Sequence, residues 1–366
     1  MNYTYLHYQI GLSQLYGIGP IKAKELIYKL ESAEQLFSAN QSEIQKLTGL
    51  NIRAIQKMDR KKALEKSIAV INHLQKHSID TSFYTSDEYP RRLKQCVDAP
   101  ILLYKKGNCL VNSPKLVAIV GTRNATHYGQ SIVRDLIASF QGKNIVVVSG
   151  LALGIDSYVH KYCLDFGVPT IGVMGHGFDR IYPAKNRTLA KEMLVDGALL
   201  TEFIPGTDPD RENFPKRNRI VAGMTDATIV VESNIKGGSL ITARLANDYN
   251  RDVFAFPGNI NTKTSQGCNQ LIADQKAHLI QSPGDFLALM GWNEDNTVET
   301  VQKALFLDLS IHQQQIVAAL DQETQLPIDV LSLKAKLPIT ELNQELFHLE
   351  MEGLIRSLPG KSYVLT

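Results

Sequence analysis

The chain is short of cysteine, of net charge and of long apolar runs, and each shortage removes a class of protein. Cys96, Cys109, Cys163 and Cys268 are scattered over 366 residues with no C-x-x-C pair. That excludes a disulfide scaffold or a zinc framework and reads as buried thiols of a cytoplasmic protein. The 39 basic and 37 acidic residues leave a net charge of +2. A uniformly basic nucleic-acid coat is therefore excluded, and any anion site must concentrate its charge locally. Apolar runs such as Ile145–Val148 are strand-sized, far below the ~20 residues that span a bilayer. The opening MNYTYLHYQIGLSQLYG has neither a basic n-region nor the apolar core of an export signal, so Asn124–Thr126 is not read as a glycosylation site. What remains is ordinary globular material, 44% hydrophobic and 21% charged, of a length that predicts two or three domains.

Residues 1–78 carry helical periodicity and almost no strand pattern. Gly17 and Gly19 separate two helical stretches and Pro20 opens the second, the grammar of a helical hairpin. A looser echo with one glycine, Gly49, runs from Leu47 to Ile55. Residues 79–295 switch to short β-branched runs, each followed by a helical stretch: Leu116–Val120, Ile145–Ser149, Thr170–Met174, Ala198–Thr201, Thr228–Glu232 and Val253–Phe256. Apolar strands alternating with helices predict a doubly wound, mainly parallel α/β sheet covered on both faces, with Ile101–Tyr104 as an extra strand. After a polar hinge at Trp292–Asn296, residues 304–366 read as helix, turn, helix and a hairpin turning at Pro359-Gly360, a winged-helix pattern.

In an open parallel sheet, ligands bind outside the carboxyl ends of the strands. Those ends are rich in glycine: Gly121, Gly150 with Gly154, Gly175 with Gly177, Gly237 with Gly238, and Gly258. Such turns let backbone N–H groups converge on a phosphate; none is a Walker A or a G-x-G-x-x-G, and tight packing is the plain alternative. Thr122 and Arg123 follow Gly121, where a guanidinium can fork a phosphate or pair with a local carboxylate. In the second turn Ser149 offers a hydroxyl and Asp156 an N-cap. Asp156 and His160 stand four apart, but no nucleophile accompanies them. Arg211–Arg219 packs four cations and one carboxylate into nine residues. Pro215 starts a helix there, placing Lys216, Arg217 and Arg219 in its first turn beside Asn218, where cations oppose the dipole unless an anion joins them. Phe214 either stacks on a base or tucks into the core. Lys236, Gly237, Gly238 and Ser239 form a further phosphate cradle, and Glu232 is read as capping nearby amides.

In series, Val120–Arg123, Ser149–Asp156, Gly177–Pro183 with Asn186, Phe214–Ile220 and Gly237–Ala243 resemble the bacterial DNA-processing protein A (DprA/Smf) family. The motifs run in order through roughly residues 117–283, and both flanks suit the family. The resemblance implies an extended Rossmann-like fold between a small helical (helix-hairpin-helix/SAM-like) domain and a winged helix. It implies a non-enzymatic recombination mediator, without metal or cofactor, that binds single-stranded DNA, dimerises and helps load RecA during natural transformation. By motif position, Arg123, Arg211, Phe214, Lys216 and Arg217 contact the strand; from the turns and the basic cluster themselves, Gly121, Thr122, Ser149, Gly150, Asn218, Arg219, Lys236, Gly237, Gly238 and Ser239 complete the expected phosphate-binding set.

One flank departs from a DNA reader. The second helix of the winged-helix pattern, about 340–352, carries Glu341, Glu345, Glu350 and Glu352 and no lysine or arginine, so the domain is expected to contact protein rather than a duplex groove and a transcription regulator is disfavoured. The N-terminal hairpin resembles those that present turn amides to a DNA backbone, and a packing bundle is the other reading of it. The competing enzyme is a nucleotide hydrolase of the nucleoside-monophosphate phosphoribohydrolase type, which needs a carboxylate soon after a Gly-Gly turn. Here Gly238 meets no acid until Asp248.

Overall fold

The computed structural model describes residues 3–292, 309–321, 325–358 and 362–365. The chain divides into two compact units, Met1–Asp295 and Asn296–Thr366. The expected hinge beyond Trp292 and the turn at Pro359-Gly360 lie outside the described residues.

The first unit opens with six helices: α1 (Tyr3–Ser13), α2 (Pro20–Leu30), α3 (Ala33–Ser38), α4 (Gln41–Thr48), α5 (Ile52–Lys57) and α6 (Arg60–His77). Pro20 occupies the first turn of α2 behind an N-cap at Gly19, and Gly49 ends α4 at φ 74°, a left-handed position that glycine takes without a Cβ penalty. Leu26, Leu30, Leu36, Ile44 and Leu74 share a core with Phe83, Leu102 and Tyr104. The helices are thus packed onto the antiparallel edge of the sheet that follows.

That sheet comprises β1 (Asp80–Phe83), β2 (Leu102–Gly107), β3 (Lys115–Val120), β4 (Ile145–Ser149), β5 (Thr170–Val173), β6 (Ala198–Thr201), β7 (Ala227–Val230), β8 (Asp252–Ala255) and β9 (His278–Leu279), in the order 1-2-6-5-4-3-7-8-9. β6 through β9 pair in parallel, while β2 is antiparallel to both β1 and β6. Between and after the strands come α7 (Arg91–Lys94), α8 (His127–Phe140), α9 (Ile155–Asp165), α10 (Arg187–Glu192), α11 (Asn213–Gly223), α12 (Gly238–Asp248), α13 (Lys263–Ala273) and α14 (Pro283–Leu289).

The period-2 alternation of strands explains the two covered faces. Leu116, Ala118 and Val120 of β3 join Ile220 of α11 and Ala243 of α12 in one core. Val117 and Ile119 join Val133 of α8 and Val159 of α9 in the other. Neither face of the central strands meets water, so they read as continuous apolar runs. The chain winds outward from β3 through β4, β5 and β6, then crosses to β7 on its other side. That reversal opens a crevice at the carboxyl ends of β3 and β7.

The second unit holds α15 (Ile311–Leu320), α16 (Ile328–Ala335), α17 (Ile339–Met351) and a sheet of β10 (Leu326–Pro327), β11 (Ile355–Leu358) and β12 (Ser362–Leu365), ordered 10-12-11. Leu342, Leu346 and Leu349 form the inner stripe of α17, against Ile316 and Leu331. Glu341, Glu350 and Glu352 are exposed on its outer side, and the Glu350 Oε1 accepts from the Ser357 amide (3.0 Å) and hydroxyl (2.7 Å).

Candidate functional site

The crevice at the switch point is an open cleft of about 810 Å³. Gly121, Thr122, Arg123, Gly150, Arg211, Phe214, Arg217, Asn218, Gly237, Gly238 and Ser239 all line it. Residues separated by more than 100 positions in sequence meet here because β3, β4 and β7 end side by side.

Two glycines set the floor by what they leave out. A Cβ on Gly121 would come within 2.5 Å of the Ile155 side chain at the start of α9. A Cβ on Gly150 would fall onto both the Asp156 carboxylate and the Arg217 guanidinium. These two groups therefore face each other across a bare backbone. Burial pushes the Asp156 carboxyl up and the Arg217 guanidinium down, and their mutual attraction opposes both shifts. Arg217 also donates to the Val173 carbonyl and, through Nε, to Asn218 Oδ1 at 3.1 Å. Asn218 in turn reaches the Gly238 carbonyl (3.5 Å).

Arg123 is exposed, with its guanidinium 5.5 Å from the centre of the Phe214 ring, within cation–π range. Phe214 is neither solvated nor tucked into the core: it is half-buried on the cleft wall, with the Tyr182 ring 6.0 Å away. Tyr182 lines the same cleft and is 47% exposed. The sequence marked it only as part of the Gly177–Pro183 motif; its approach to Phe214 joins a loop to the first turn of α11 and leaves no local signal.

Gly237 is the N-cap of α12 and no side chain caps that end. The first amides of the helix, at Gly238 and Ser239, thus open on the cleft, where the helix dipole favours an anion. The neighbouring α8 differs. Glu232 accepts from the Thr126 amide (2.9 Å) and hydroxyl (2.6 Å), and Thr126 caps α8. Glu232 is a buried structural carboxylate, as its capping reading expects.

Several residues stand elsewhere than their motif positions imply. Ser149 is fully buried and donates to the Ile119 carbonyl at 2.7 Å, so its hydroxyl holds β4 to β3 and does not meet a ligand. Thr122 lines the cleft with its amide already bound to the Glu232 carbonyl at 2.8 Å. Ser239 turns its hydroxyl to Ser233 (2.7 Å), leaving only its backbone for an anion. Asp156 is not an N-cap: Gly154, at φ 80°, takes that place, and Asp156 accepts from the Ala152 amide at 3.3 Å. α11 begins at Asn213, two residues before Pro215. Lys216 and Lys236 are exposed beside the cleft without lining it. Arg219 is buried and bonded to Glu202 and the Asp98 carbonyl. It lies two residues from Arg217, hence about 200° around the helix, and faces away from the cleft.

His160 is no acid–base partner either. Its Nε2 lies 2.5 Å from the Gly150 carbonyl and its Nδ1 2.8 Å from the Thr170 hydroxyl. The carbonyl can only accept, so Nε2 carries the proton and the ring supports the Gly150 turn. Among the described residues no cluster of three or more His, Cys, Asp or Glu side chains is arranged to hold a metal ion, and no helix is long and apolar enough to cross a membrane.

Comparison with known proteins matches this architecture. Residues 80–291 fit the family model for DNA recombination-mediator protein A, and residues 307–361 that for the DprA winged helix domain. Protein Smf of Synechocystis sp. is 32% identical over 394 aligned positions, which cover 97% of this chain and 98% of that protein. The X-ray structure of DNA processing protein A from Streptococcus pneumoniae superposes with a TM-score of 0.66 at 34% identity, covering 77% of this chain and 97% of the other. A structure of DNA processing protein A from Helicobacter pylori, described for its unique single-stranded DNA binding mode, gives 0.53 at 30% identity, over 58% and 95% of the two chains. By its sheet, its flanking units and these matches, the chain belongs to the DNA recombination-mediator protein A (DprA/Smf) family.

Proposed function

We propose that this chain is a recombination mediator that binds single-stranded DNA across the strand-end cleft and passes it to a RecA-type recombinase during DNA uptake, acting as a homodimer in the cytoplasm. The observation that carries the reading is the convergence of unlike groups on one open wall. Arg123 and Arg211 supply exposed cations, the buried Arg217 a third set against Asp156, the α12 amides a dipole end, and Phe214 with Tyr182 the rings. Cations along a groove with interleaved aromatics suit a single strand: phosphates take the charge and unstacked bases take the rings. A duplex offers no free base face to such a wall.

The carboxylates that an enzyme would need support the same reading. Glu232 is spent on the α8 cap and Asp156 is set against Arg217; Asp210, at the rim, is exposed. The winged-helix unit, acidic along α17, is assigned to protein contact, with duplex reading left to neither unit. The test is equilibrium binding of a labelled oligodeoxythymidine to wild type, Arg123→Ala and Phe214→Ala over a salt series. Arg123→Ala should weaken binding and flatten the log–log salt dependence by about 0.7 per lost phosphate contact. Phe214→Ala should weaken it by about 1–3 kcal/mol with the salt slope unchanged. Wild-type binding by both variants at every salt concentration would refute the assignment.

A further inference from the structure

Arg219 leaves the cleft for a second polar cluster behind α11. Its guanidinium bonds Glu202, which follows β6, and the carbonyl of Asp98 in the loop after α7. The side chains of Arg219 and Glu202 are only 10% and 14% exposed. The same loop is gripped from two other elements. Tyr249, closing α12, donates to Asp98 Oδ1 at 2.6 Å. Lys24 of α2 donates to the Cys96 and Val97 carbonyls at 3.2 and 3.1 Å. One short loop therefore ties together the helical segment, α11 and α12, the last two being helices whose N-terminal turns line the cleft.

A buried ion pair is a costly way to hold a helix unless its geometry matters, because both charges lose water. On α11 the geometry does matter. Phe214, Arg217 and Asn218 project from its first turns into the cleft while Arg219, two residues on, is bolted to the opposite side. Sliding or rotating α11 would carry all three cleft residues with it.

Building on the single-strand reading, we propose that Arg219 and Glu202 are a positioning pair that sets α11 for DNA, with Lys24 extending the brace to the helical segment. That segment then contributes to strand affinity through the brace, and Arg219 touches no phosphate.

The salt dependence separates the two roles, because it counts phosphate contacts and the exposed cations of the cleft, Arg123 and Arg211, lie outside α11. Binding of labelled oligodeoxythymidine is measured over a salt series for full-length Arg219→Lys, Arg123→Ala and the paired variant Glu202→Gln/Arg219→Gln, which leaves no charge buried alone. The paired variant should bind about tenfold more weakly, about 1.4 kcal/mol, with the wild-type salt slope; Arg219→Lys should recover most of the loss. A paired variant with a flattened slope would make Arg219 a phosphate ligand and overturn the proposal, as would a folded one that binds like wild type. Should circular dichroism show the paired variant unfolded, Lys24→Met decides: weaker binding at unchanged slope supports the brace, and wild-type binding overturns it. An Arg123→Ala chain that keeps the wild-type slope would instead strike the single-strand reading itself.

Discussion

At Gly150 a single missing Cβ shapes the site. It lets Asp156 and Arg217 face each other and frees the cleft floor, and it spares both groups a clash; separately, the Gly150 carbonyl accepts from His160. Burial lowers the His160 pKa to about 4, against an ordinary value of ~6.5. The folded state therefore resists a proton that the unfolded chain accepts. Stability from this residue is complete above pH ~6.5 and drains away as the pH falls toward 4, on the order of 3 kcal/mol at the limit. Denaturant unfolding at stepped pH should show this loss, and His160→Gln should flatten that part of the profile. Unchanged stability between pH 6.5 and 4 would mean that the ring is not held neutral.

At the scale of elements, the helix ends around the switch point divide the labour. α8 is closed by Thr126 and Glu232, while α12 is left open on the cleft. Thr126→Ala should cost about 1 kcal/mol of stability, read as a shift in the denaturation midpoint, and leave oligonucleotide affinity intact because α8 carries none of the cleft's cations. The six strands with β-branched runs were legible from sequence because burial on both faces makes them apolar throughout. β1 and β9 were not: each is short, partly polar and lies at an edge, where packing imposes little pattern. Site legibility followed the same physics. Motif spacing located the turns that carry Gly121, Arg123, Gly150 and Gly237, since strand ends fix those positions. It did not distinguish Arg217 from Arg219, because which side of a helix meets the cleft is decided by partners such as Glu202 and Asp98, distant in the chain. Tyr182 was missed for the same reason.

At the scale of the whole molecule, a net charge of +2 conceals segregation. Residues 1–80 hold 11 basic and 7 acidic groups, and residues 301–366 hold 5 and 8. Much of the local excess lies in Arg211–Arg219, and the fold divides it further, sending Arg217 to the cleft and Arg219 into an ion pair. On the proposed reading, the cations of the cleft share one wall with rings, an arrangement that suits a single strand better than a mononucleotide or a duplex. The most direct measurement is a salt-titrated comparison of one protein preparation with oligodeoxythymidine, its duplex with oligodeoxyadenosine, and thymidine monophosphate. The result expected is a clear preference for the single strand at every salt concentration, with a steep salt slope and no base release from the monophosphate. Equal or tighter binding of the duplex, or cleavage of the monophosphate, would contradict the assignment of the cleft to single-stranded DNA.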